Sequence, residues 1–153
     1  MTAEDVISID DAIDWLTAPD DKHLPRLIRS AVSFVEQYTG YRLYERTETF
    51  NCGQIKDGIC VYPIAITSVK DSDGNDTEYT VTQGAQKLYI CSRYADTVTA
   101  TVGYTAIPDS ESILVDACYK MLTYLYENRD IYPAELPLDI QVFVNQKRRD
   151  ASI

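Results

Sequence analysis

The hydrophobic period of this chain switches near residue 40 and switches back after residue 105, and that double change limits the folds open to it. Before the first switch, Leu24, Leu27, Ile28, Ala31, Val32, Val35 and Tyr38 recur at three- and four-residue intervals until Thr39 and Gly40, which is the spacing of one helix face closed by a glycine. From Tyr41 onward, Leu43, Glu45 and Thr47 alternate with Tyr44, Arg46 and Glu48, and β-branched and aromatic residues dominate as far as Thr105. A period of two belongs to strands. Leu114, Ala117, Cys118, Met121, Leu122 and Leu125 then restore the helical stripe. Helices, then strands, then a helix is the element order of an α+β domain, not of alternating β-α-β crossovers.

Local signals sharpen this outline. Ser8 followed by Asp11 reads as a capping-box variant, with Ile9, Ala12, Ile13 and Leu16 on one face of a short first helix that stops before Pro19. Asp20 and Asp21 supply the N-cap expected for the second helix. Pro63 cannot donate to a strand ladder, so the strand around it bends or lies at an edge. Residues 71–76 make a turn, followed by strands near residues 78–81, 87–91 and 97–104. Asp109 or Ser110 caps the third helix, which ends near residues 128–130 ahead of Pro133. Pro133 and Pro137 rigidify a connector to a final segment over residues 138–149 that reads as a short helix ending in Lys147, Arg148 and Arg149, and basic residues suit a helix C-terminus. The fold expected is one α+β domain over residues 1–130. It is a helical bundle of two N-terminal helices plus a long C-terminal helix, with a small antiparallel β region between them. Residues 131–153 form an extended C-terminal tail or arm.

Composition narrows function by exclusion. A chain of 17.3 kDa has the size of one domain and buries about 70% of its unfolded surface on folding. A formal net charge of -10 repels a polyphosphate backbone, which argues against gripping DNA or RNA. The N-terminus carries no basic region followed by an apolar run and no window is long and apolar enough to span a bilayer, so a cytosolic start is expected and no membrane partner. Cys52, Cys60, Cys91 and Cys118 show no paired CxxC and accompany a single histidine, His23. Buried, reduced thiols are expected, not a zinc site. Twelve tyrosines stand against three phenylalanines and one tryptophan, a bias that suits half-wet contact surfaces as well as β-rich cores.

No reactive constellation emerges. Asp71, Asp73 and Asn75 resemble the first ligands of a calcium loop, but Asp76 stands where that loop needs glycine and Thr82 where it needs glutamate. Asp73-Gly74 is better read as a hairpin turn. His23 beside Asp20 and Asp21 has no motif-placed nucleophile to serve. The seven acidic and zero basic residues among the first 21 read as a solvated face. The expectation is therefore a protein that is not an enzyme, with no catalytic, cofactor-binding or metal residues, whose role is assembly.

Three stretches carry a family resemblance. The first is Ile9-Asp-Asp-Ala-Ile-Asp-Trp-Leu running on to Leu27-Ile-Arg-Ser-Ala-Val-Ser-Phe-Val-Glu-Gln-Tyr-Thr-Gly; the second is Tyr62-Pro63-Ile64 leading to Ser68-Val69. The third runs from Val102-Gly-Tyr-Thr-Ala through Pro108 to Tyr126-Glu-Asn-Arg-Asp. In this order they resemble the head-tail connector (adaptor) proteins of long-tailed bacteriophages. The resemblance implies a structural virion protein of the neck, made in the host cytoplasm. It implies a homo-oligomeric ring of about twelve copies in the virion from subunits that are often monomers alone. That ring would dock on the portal protein, join the capsid to a stopper or tail-completion protein, and leave a lumen through which DNA passes without specific binding. Asn145-Gln-Lys-Arg-Arg occupies the place where the family usually closes with an apolar helix and an aromatic-basic pair.

Contact residues expected on this reading are Tyr126, Glu127, Asn128 and Arg129 at the third helix end, Asp71, Asp73 and Asp76 at the turn, and Lys147, Arg148 and Arg149 in the tail. A plain alternative for the first group is helix termination, with Arg129 pairing an acid. An alternative function of another class is an acidic binding module that inhibits a host nucleic-acid enzyme by presenting a phosphate-like surface.

Overall fold

The computed structural model describes residues 1–17 and 22–148. Its helical half begins with α1 (Ile9–Leu16), where the Ser8 hydroxyl oxygen accepts the Asp11 N–H at 3.1 Å, as the cap signal predicted. Helix α2 (Leu24–Thr39) starts on Pro25 in its first turn and ends on Gly40, which adopts a left-handed φ of 79° and donates its N–H to the Glu36 carbonyl at 2.9 Å. The residue at its N-cap is His23, whose side chain makes no capping bond. Asp20 and Asp21, the expected caps, lie outside the described residues.

The β region is built around a strand that comes late in the chain. β1 (Arg46–Asn51) and β2 (Ile64–Lys70) both pair antiparallel with β5 (Thr97–Val102), giving the order β1-β5-β2. A register shift between Ile66 and Ser68 marks a bulge in β2. β3 (Thr80–Gln83) and β4 (Leu88–Cys91) form a separate two-stranded hairpin. Asp73-Gly74 is a turn as expected, but it does not join neighbouring strands; only the single Lys70–Asp76 bridge closes across it. The ladder expected from Tyr41 begins at Arg46, and Tyr41 itself makes one bridge, to Tyr62.

A short helix, α3 (Cys52–Asp57), interrupts the β region, and the period-two reading passes over it. Its start is a reciprocal cap: the Asn51 side chain accepts the Gln54 N–H at 3.0 Å while the Gln54 side chain accepts the Asn51 N–H at 2.9 Å. Ile55 of α3 and Leu88 and Ile90 of β4 pack with Val98 and Ala100 of β5, so α3 and the hairpin close one face of the sheet.

The third expected helix is α4 (Ser112–Glu127), entered through a 3-10 turn over Asp109–Glu111. Every residue of its predicted stripe is buried, packed on α1 and α2 in a second, helical core with Ile28, Val32, Val35 and Leu43. Each such large aliphatic residue contributes about 1.5–3 kcal/mol of burial.

As far as Arg148 the segment past residue 130 is not an extended arm, and the short helix expected from residue 138 is present in shorter form. After residue 130 the chain returns as α5 (Leu138–Val144) and a 3-10 turn over Asn145–Lys147, and Leu136, Ile140 and Val144 are buried in the helical core. Ile140 and Val144 sit one turn apart on the same side of α5, and burying them outweighs the freedom of a loose arm. Lys147 fastens the end of this segment: its Nζ lies 3.1 Å from a carboxylate oxygen of the buried Glu111 and donates to the Ser110 carbonyl at 3.2 Å.

Candidate interaction surfaces

The two cores meet at a charged joint. Glu36, near the end of α2, is almost fully buried, and its Oε1 accepts the Leu43 N–H at 2.7 Å. The same carboxylate takes a two-pronged contact from the Arg46 guanidinium of β1, at 3.1 and 2.7 Å. Glu48 extends the network, bonded by Arg46 at 2.9 Å and by Arg42 at 2.8 Å. Burial opposes the Arg46 charge, but the hydrogen bonds and attraction from Glu36, aided by Tyr44 and Glu48, outweigh it and raise its pKa. Beside this network Tyr41, Tyr62 and Tyr104 meet edge to face, with ring centroids 5.4 and 6.3 Å apart. Gly103, where β5 leaves the sheet for the helices, holds φ at 90°, and a Cβ there would stand 2.0 Å from the Tyr44 carbonyl oxygen. Only glycine fits that crossing.

The expected contact residues fall on three separate elements. At the end of α4, Tyr126 is half-buried against the helical core. Asn128 donates its side-chain amide to the Tyr124 carbonyl at 2.9 Å, and Arg129 lies 4.5 Å over the Tyr126 ring while donating to the Tyr126 carbonyl at 3.3 Å. These bonds terminate the helix. Asn128 and Arg129 also line a cleft of about 480 Å³ with His23, Arg26, Ile131 and Tyr132, between the start of α2 and the end of α4. Glu127 faces outward on the other side, in the wall of a second groove with Trp15.

At the acidic turn, the Asp71 carboxylate accepts the N–H groups of Asp73 and Asn75 at 2.9 and 3.0 Å, and Asp76 pairs with Lys70 at 3.0 Å. Two of the three acids therefore hold the turn's own shape, and Asp73 stands exposed at its tip. In the basic triplet, Lys147 is held by Glu111 as described, and Arg148 is exposed with its guanidinium 4.8 Å over the Tyr38 ring. Arg149 lies outside the described residues.

The structure adds a surface that the linear pattern did not single out. All four residues of β3 are exposed, and Tyr79, Val81, Tyr89 and Tyr94 are exposed large apolar side chains around the hairpin. Val81 is paired with the buried Ile90, so its face overhangs the edge of the sheet core. An open groove of about 830 Å³ runs between Tyr79, Thr80, Cys91 and Tyr94. The tyrosine excess was the available signal, and the exposure of the β3–β4 hairpin was not.

Reactive chemistry finds little here. Burial of all four thiols is corrected. Cys118 is buried, but Cys52 opens α3 and Cys91 points off the outer face of β4, both exposed, and Cys60 is half-buried. Burial, with the Glu36 charge adding to it, pushes the Cys118 thiol well above its usual pKa, so it stays protonated and inert near neutrality. Among the described residues no group of three His, Cys, Asp or Glu is placed to hold a metal ion, and no helix is long and apolar enough to cross a membrane.

No protein-family model matches the chain, and no curated protein matches it. Solved structures share its fold nearly end to end. A chain in the virion of a native gene transfer agent particle superposes with a TM-score of 0.67 at 14% identity, covering 98% of this chain and 93% of that one. A chain in the neck of the native particle, computed with C12 symmetry, gives 0.71 at 15% identity, covering 98% and 92%. At this identity the likeness establishes the fold, mixed helix and small antiparallel sheets, and it agrees with the resemblance to head-tail connectors.

Proposed function

We propose that this chain is a structural subunit of a virion neck, a head-tail connector that assembles as a ring of about twelve copies, docks on a portal and joins it to a stopper or tail. The observation that carries the reading is the fold likeness, over 98% of the chain, to a chain of a neck computed with C12 symmetry. A ring is a closed head-to-tail assembly, so each subunit needs two different sticky faces. Among the exposed apolar positions are two well-separated groups, the tyrosine-rich β3–β4 hairpin and the outward side of α5, where Leu138 and Val142 stand exposed. Around the lumen, an acidic wall would let DNA slide without gripping it. Tyr126, Glu127, Asn128, Arg129, Asp73 and Arg148 are the surface positions assigned to contacts with neighbouring subunits or neck proteins.

The test is a reconstitution. The purified chain is mixed with the portal encoded beside it and imaged by cryo-electron microscopy, with the neck of intact particles as the second arm. The expected result is a closed ring seated on the portal and the same density in the particle neck. A chain that neither binds that portal nor occurs in the neck would overturn the proposal.

A further inference from the structure

We propose that the groove between α1, α4 and α5 is a docking site for a basic amphipathic segment of a partner protein. The groove holds about 330 Å³ and its apolar walls come from Trp15 of α1, Tyr124 of α4 and Ile140 of α5. Trp15 is 54% exposed, although its Nε1 donates to Thr123 Oγ1 at 2.8 Å and its ring lies 5.1 Å from that of Tyr119. The indole is thus oriented by α4 and presented to the outside, a rigid aromatic anchor of the kind that dominates contact surfaces. Leu138 and Val142, exposed one turn apart on the side of α5 opposite the buried Ile140 and Val144, lie outside this groove.

Charge identifies the occupant. Glu127 and Asp139 line the groove, and Asp11 and Asp116 lie close enough to Tyr119 to raise its pKa after burial, the larger cause. Lys120 is the one cation among the groove's lining residues, and its ammonium is placed 5.0 Å over the Phe143 ring. An apolar trough whose lining carries two carboxylates, Glu127 and Asp139, against one lysine favours a segment that pairs large apolar residues with Lys or Arg over an acidic one. The inference rests on these three helices, and Glu127 is shared with the contact positions of the neck reading.

Trp15 is the single tryptophan of the chain, so its emission reports the groove directly. The probe is a synthetic helical peptide of leucine and lysine at amphipathic spacing, titrated against the intact protein, with the same peptide carrying glutamate for lysine as control. The expected result is a blue shift with the lysine peptide, none with the glutamate peptide, and a Kd raised about fivefold in Glu127→Gln/Asp139→Asn. The pair Asp73→Asn/Asp76→Asn, at the distant turn, should leave that Kd unchanged. A shift of equal size with the glutamate peptide, equal weakening by both acid-removing pairs, or no shift at all would overturn the proposal. So would a blue shift that grows with protein concentration alone, which would make a second copy the occupant.

Discussion

Removing the carboxylate at the joint, by Glu36→Ala, should be among the most damaging single changes outside the aliphatic cores. The side chain is 4% exposed, and its loss leaves the Leu43 N–H without its 2.7 Å acceptor in a buried setting. An orphaned buried donor costs about 1–3 kcal/mol. Arg46 loses a two-pronged partner as well, but it is a quarter exposed and keeps Glu48 at 2.9 Å, so only part of the about 3–5 kcal/mol typical of a broken buried pair applies. The two effects place Glu36→Ala at about 2–4 kcal/mol, a melting shift of about 5–15 °C for a domain of this size. Glu36→Gln keeps an acceptor for Leu43 and should cost less, which separates the amide contact from the charge. Urea unfolding followed by far-UV circular dichroism, on Glu36→Gln, Arg46→Met and the double variant, measures the coupling, expected at about 2 kcal/mol. A coupling below about 0.5 kcal/mol, or Glu36→Ala within that margin of the parent, would refute the joint as an energetic link between the cores.

Gly103→Ala should cost about 3 kcal/mol or more, or prevent folding, because the new methyl collides with the Tyr44 backbone at a left-handed φ; soluble yield and melting temperature report it. Lys147→Met should leave the far-UV spectrum intact, destabilise by about 1–2 kcal/mol, and speed limited proteolysis after residue 131, since the ammonium that holds Glu111 and Ser110 is gone. Cys118 should resist thiol reagents in the folded protein while Cys52 and Cys91 react quickly. Its raised folded pKa makes its contribution to stability complete below the unfolded value, about 8.5, and lost as pH rises above it, by about 1.4 kcal/mol per pH unit. Cys118→Ala should flatten that alkaline slope in denaturation series, and an unchanged slope would count against the burial.

What could be read in advance follows from how local each signal is. The α2 and α4 stripes, the Ser8 cap and the Gly40 stop each lie within a few turns of chain, and each matches the structure. α3 was hidden by its length, six residues, too few for a period to declare itself, although the Asn51–Gln54 cap marks it. β5 inserting between β1 and β2 is a non-local pairing, and so a turn at Asp73-Gly74 was legible while its partners were not. The docking of residues 136–148 rests on Leu136, Ile140 and Val144, three apolar positions set among prolines and charges whose burial depends on α4 being in place. Glu36 and Arg46 are ten residues apart, on opposite sides of the reversal at Gly40, and no sequence period links them.

The acidic surplus bears on which use of the molecule the fold favours. A phosphate mimic must hold carboxylates outward and in register along one face. Here Glu36 and Glu48 answer to Arg46 and Arg42, Glu111 to Lys147, Asp76 to Lys70, and Asp71 to the N–H groups of its own turn. These charges brace the joint, the C-terminal segment and a loop. Those left at the surface, such as Asp10, Asp14, Asp73 and Glu78, sit on different elements, α1, the turn and the approach to β3. Outside the groove that Glu127 and Asp139 line, charge scattered in this way gives a broad repulsive field, not a phosphate-like row, and such a field fits a wall past which DNA moves better than a clamp on an enzyme's phosphate site. Disrupting that mimicry would require removing one compact cluster, whereas a repulsive wall should tolerate the loss of any single exposed carboxylate. If one exposed acid proved indispensable to function, the channel reading of the charge would have to yield.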